Sequence, residues 1–207
     1  LTRKDVAPDL RVRAARLALD LNEPREAAHY LEPLVNSPEA SPAILELAAR
    51  CQILARENLL AVQYLEKALE KAPDQLSSAE LLSDLYRHTL HQSNKADVVL
   101  HQFVKNNPRL AAARILRARN RLATNQLVEA SDDLAVARKL EPDNVEALQL
   151  SAEVARRRGL LEEACTYLQQ AIRSHPERPQ LYPALALTLE EAGRLGPAVE
   201  TLREGHR

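Results

Sequence analysis

Two residue types recur along this chain at one interval. The alanines Ala27, Ala61, Ala96, Ala130, Ala164 and Ala198 follow one another by 34, 35, 34, 34 and 34 residues. The prolines Pro38, Pro73, Pro108, Pro142 and Pro176 keep steps of 35, 35, 34 and 34. A shared period of this length marks a tandem array, in which each unit is too small to bury its apolar face alone and must stack on its neighbours.

Each period reads as two helices. In the fifth, one helix runs from Val145 to about Arg158 and Gly159 breaks it, as glycine does just past a helix end. A second runs from Leu160 to about Ser174, and Pro176 stops it. Leu161, Ala164, Leu168, Ala171 and Ile172 recur at three- and four-residue steps and form one apolar face. The alanine keeps the paired helices close, where a larger side chain would wedge them apart. Composition agrees: aromatics are 3% of the chain, glycine occurs four times, and Ala, Leu, Glu and Arg are abundant. These are strong helix formers with few bulky side chains, so the expectation is twelve helices in six antiparallel pairs, no β-strand, and a thin, continuous core.

The segments AEVARRRGLLEEACTYLQQAIRSHP and LALTLEEAGRLGPAVETLREG resemble the tetratricopeptide repeat, with its small residues mid-repeat, an alanine early in the second helix and a closing proline. The resemblance implies an all-α solenoid, a right-handed superhelix of antiparallel helix pairs. It places repeats at 8–41, 42–75, 76–110, 111–144, 145–178 and 179–207 of a single domain. Repeat 76–110 fits only if its inter-helix turn carries one extra residue near Gln92 to Asn94. In 111–144 the family's packing positions hold Arg114, Arg117 and Arg121. Unpartnered buried arginines would be very costly, so that helix is expected to rotate, with Ile115, Ala118 and Leu122 inward and the arginines at the edge. Pro33, inside the second helix of the first repeat, should bend it locally.

Several chemistries find no support. Net charge is −1, without the basic excess of a nucleic-acid binder. The four glycines form no phosphate-cradling loop, and no nucleophile elbow or metalloprotease pair occurs. His88, His91 and His101 read as a solvated turn rather than a metal site, and no cofactor is called for. Paired acids such as Asp132–Asp133 read as helix-surface residues, diverging by roughly 100° on a helix. No apolar run is long enough to span a membrane. Cys51 and Cys165 fit no metal or redox spacing and point toward a reducing, cytoplasmic compartment. The absence of methionine suggests a fragment of a longer protein, whose open repeat ends leave room for self-association.

The resemblance also implies a non-catalytic protein-interaction scaffold that holds a partner peptide or segment in a concave groove lined by the first helices. The alternative is a structural or assembly module of a larger bacterial secretion or enzyme complex. Carrying the family's fifth groove position across gives Val12, Glu46, Glu80, Ile115, Gln149 and Pro183. The ninth gives Arg16, Arg50, Asp84, Arg119, Glu153 and Leu187. None of these is the Lys or Asn with which co-chaperones of the family grip a C-terminal carboxylate. One stretch is locally basic: no acid lies between Asp97 and Glu129, while Lys105, Arg109, Arg114, Arg117, Arg119 and Arg121 do, and Arg156, Arg157 and Arg158 follow in the next repeat. Arginine forks pair well with carboxylates, so an acidic segment is one candidate partner.

Overall fold

The computed structural model describes residues 7–206. Among them it is all-helical and contains no strand. The helices are α1 (Pro8–Asp20), α2 (Pro24–Val35), α3 (Pro42–Leu54), α4 (Asn58–Lys71), α5 (Leu76–Asp84), α6 (Ser93–Asn106), α7 (Ala111–Ala123), α8 (Leu127–Leu140), α9 (Val145–Arg157), α10 (Leu161–Ser174), α11 (Leu181–Glu191) and α12 (Leu195–Glu204). The chain forms two compact units that meet in sequence at Asn107 and Pro108.

In the N-terminal unit each odd-numbered helix pairs with the even-numbered helix after it, and α2 packs on α3 and α4 on α5. Its core is two linked clusters, one around Ala15, Ala27, Leu31 and Leu45, the other around Ala49, Ala61, Leu65, Leu82 and Ala96. The C-terminal unit repeats the arrangement, with clusters around Ile115, Ala130 and Leu134 and around Ala152, Ala164, Leu168 and Leu185. All six periodic alanines are buried. A second small-residue series faces them from the first helices: Ala15, Ala49, Ser83, Ala118, Ala152 and Ala186, also all buried.

The turn inside each repeat is built around one left-handed residue. Asn22, Arg56, His91, Asn125, Gly159 and Gly193 have φ of 61°, 65°, 54°, 59°, 76° and 74°. In five of the six, the next residue's N–H reaches the carbonyl five residues back at 2.8 Å: Glu23 to Ala18, Glu57 to Gln52, Gln126 to Arg121, Leu160 to Ala155 and Arg194 to Leu189. This is the helix-ending geometry that glycine and asparagine favour. Arg56 and His91 adopt it without that advantage.

The third repeat differs, though not where the sequence suggested. The extra residue is not in the turn near Gln92 to Asn94. From His91 to Ala96 the spacing equals that from Asn125 to Ala130, whereas Ser83 to His91 is one residue longer than Ala118 to Asn125. A π-helical turn at Leu85–Thr89 takes up the difference. Leu90 N–H bonds the Leu85 carbonyl at 3.0 Å, and Gln92 N–H reaches back six residues to Tyr86 at 2.7 Å. Such single turns accommodate one surplus residue within an α-helix. Pro33 lies inside α2, which continues through it to Val35.

Candidate functional site

The arginines of α7 turn out to be structural. Asp133 on α8, only 2% exposed, accepts from Arg117 Nε at 2.7 Å and Nη2 at 2.6 Å, from Arg121 Nη1 at 2.6 Å and from Arg114 Nη1 at 3.2 Å. As expected, Ile115, Ala118 and Leu122 are inward and the arginines stand half-buried at the edge. Asp133 itself corrects the reading of Asp132–Asp133 as a surface pair: only Asp132 is exposed. Three residues after the repeat alanine, Asp133 occupies the place of Tyr30, Tyr64 and Tyr167.

Arg119, Arg156 and Arg157 are also engaged with acids. Arg119 pairs with Glu146 across α7 and α9. Glu153 takes Arg157 Nε at 2.7 Å and Arg156 Nη2 at 2.9 Å, while Arg156 Nη1 reaches Glu191 on α11 at 2.9 Å. Burial pushes the Glu153 carboxyl up, but hydrogen bonds from Arg157 and Arg156 outweigh it and hold the group below its ordinary value. Asp133, Glu146, Glu153 and Glu191 therefore offset part of the positive charge seen along the sequence.

The predicted groove residues divide by unit. In the N-terminal unit, Arg16, Arg50 and Asp84 are exposed and Val12 is half-buried against the core. Glu46 ties α3 to the start of α5, accepting from Gln75, Ser77 and Ser78 (3.1 Å) as well as from Arg50 on its own helix (2.9 Å). Burial raises its pKa, but the hydrogen bonds from Ser77, Arg50, Ser78 and Gln75 prevail and lower it. In the C-terminal unit, Ile115 carried two expectations, inward on the rotated helix and lining the groove, and its burial decides for the first and corrects the second. It sits in the α7–α9 core, because a branched apolar side chain at the edge of that face folds down onto Ala111, Ala118 and Leu134. Gln149, Glu153 and Arg156 come together, lining a depression of about 230 Å³ with Ala152, Leu168, Ala184, Leu187 and Thr188 between α9 and α11. Leu187 is 51% exposed at its rim. Arg157, in the last turn of α9, bonds Glu153.

The tetratricopeptide repeat family model matches residues 12–75, 115–179 and 151–205. The chain belongs to the tetratricopeptide repeat family. No curated protein sequence matches it significantly. Solved structures of the same fold include a tetratricopeptide repeat protein from Parabacteroides merdae at 18% identity and TM-score 0.70, covering 95% of this chain and 77% of that one. A thermophilic protein of the family from Thermus thermophilus aligns at 22% identity and TM-score 0.60, covering 88% and 99%. YrrB, described as having an unusual peptide-binding site, aligns at 20% identity and TM-score 0.58, covering 89% and 92%. Among the described residues no helix is long and apolar enough to cross a membrane, and no three His, Cys, Asp or Glu side chains group as metal ligands do.

Proposed function

We propose that this chain is a non-catalytic protein-interaction scaffold that holds a segment of a partner against the exposed faces of its first helices. The observation that carries the reading is the depression between α9 and α11, where half-exposed Leu187 stands beside the Glu153, Arg156 and Gln149 side chains. An apolar anchor within a polar rim is the composition of a protein-binding patch. Its walls are helices already fixed by Ala152, Leu168 and Leu185, so a partner orders little of the scaffold on binding. The family membership and the peptide-binding site for which YrrB is described support the same class of function.

Charge tunes the partner. Arg119, Arg156 and Arg157 already satisfy acids of this chain, so an acidic segment must compete with Glu146, Glu153 and Glu191 and binds more weakly as salt rises. The test is a pull-down with the chain, read by mass spectrometry, set against Leu187→Glu and against Arg119→Glu with Arg156→Glu. Loss of the same partner in both variants, with helicity unchanged, supports the reading. Retention of every partner by both variants would overturn it.

A further inference from the structure

The second helices of the N-terminal unit leave open a groove whose counterpart in the C-terminal unit is closed. Three residues after the repeat alanine, the chain carries Tyr30, Tyr64, Val99, Asp133, Tyr167 and Thr201. Between α8 and α10, Tyr167 lies under the Arg138 guanidinium, 4.1 Å from its ring centre, and only about 10 Å³ remains. Between α4 and α6, Val99 stands in the tyrosine's place and Leu69 in the arginine's, and about 460 Å³ is open. Leu69, Val98 and Val99 wall the space, and Leu82 of α5 and Phe103, the chain's one phenylalanine, form its floor. Val98 is 68% exposed.

The rim has one sign of charge. Glu66 and Glu70 lie one turn apart along α4, and the α6 side carries the amides Gln102 and Asn106. No lysine or arginine lines the groove. Tyr86 O–H donates to Glu66 Oε1 at 2.9 Å and fixes that carboxylate at the edge. Gln102 and Asn106 bond to each other at 2.8 Å and brace the opposite edge. Opposite charge recognises such an edge, and phosphate-bearing or acidic ligands meet two carboxylates there.

We infer that the α4–α6 groove docks a partner segment that inserts an aromatic or branched aliphatic side chain against Leu82 and Phe103 and sets a lysine or arginine against Glu66 and Glu70. This site opens between two second helices, with Leu82 of α5 beneath it, and it does not depend on the first-helix reading above.

The experiment is an amide NMR titration of the full chain with two probe peptides, acetyl-Lys-Phe-Lys-amide and acetyl-Glu-Phe-Glu-amide. The basic peptide is expected to shift amides of α4 and α6, with affinity falling as salt rises, and the acidic one to bind at least about tenfold more weakly. Val99→Tyr, which places there the side chain found in three of the other five repeats, should remove binding of the basic peptide. Val98→Arg, at an exposed position that leaves the core intact, should weaken it even if Val99→Tyr fails to fold. Equal binding of the two peptides overturns the inference. So do shifts confined to α1, α3 and α5, or wild-type affinity in folded Val98→Arg. Leu187→Glu should leave this titration unchanged, which separates failure here from failure of the first-helix site.

Discussion

Replacing Asp133 by leucine removes the one carboxylate on which Arg114, Arg117 and Arg121 converge. Four N–H donors lose this carboxylate at a position 2% exposed, while Arg121 Nη1 keeps the Glu129 carbonyl at 3.0 Å. Breaking a buried pair by deleting one partner costs about 3–5 kcal/mol, chiefly the penalty of the stranded charge. The three guanidinium groups keep some access to water, so the lower end applies, about 3 kcal/mol. For a chain of this length that corresponds to a fall of roughly 6–12 °C in melting temperature, readable by circular dichroism. A fall below about 2 °C, the size of a surface effect, would refute the account. The cluster can also be dismantled whole. Arg114→Leu, Arg117→Ser, Arg121→Ala and Asp133→Tyr together reproduce Leu148, Ser151, Ala155 and Tyr167 of the next repeat. Exchanging a buried ionic cluster for packed side chains is often neutral or stabilising by about 1–4 kcal/mol, so the quadruple variant is expected to regain what Asp133→Leu loses.

Ala130 is fully buried between its helices, so Ala130→Leu should overpack the contact and cost about 1–3 kcal/mol in a urea melt. Arg56 and His91 hold left-handed φ angles, and Arg56→Gly or His91→Gly should each gain about 1 kcal/mol by relieving the clash of the Cβ. The Glu46 pKa lies below its ordinary 4.5 in the folded state. Its contribution is therefore present above that value and lost as pH falls through the folded pKa. Glu46→Gln should flatten the acid limb of the stability–pH curve there, and an unchanged limb would count against the Glu46 link between α3 and α5.

Much of this fold is legible from one alanine series and one proline series that share a period, because small residues at a fixed step leave helix pairs one way to pack. The boundaries of α9 and α10 lie within a residue of those read from Gly159 and Pro176. What escaped was pairing across the turn. A linear count of charge from Asp97 to Glu129 stops four residues short of Asp133, and burial of a lone acid is visible only once its position is aligned with Tyr30, Tyr64 and Tyr167. The same alignment would have exposed Val99 as the missing tyrosine. Ile115 failed as a groove residue because a family position specifies a direction, while an isoleucine there gains more by folding inward. The surplus residue was counted correctly from Ala61 to Ala96. Its place required a second landmark, the left-handed His91.

That π-helical turn has a consequence for how such a chain tolerates length changes. One residue added to a regular helix swings everything after it by about 100° around the axis. In a repeat array, that error would carry the next alanine off its contact. Leu85–Thr89 absorbs the surplus before His91, so Ala96 meets its partner helix in phase and the 34-residue step resumes at Ala130. The turn acts as a buffer against indels, and it marks the one first helix from which a single residue could be deleted to give an ordinary α-helical repeat.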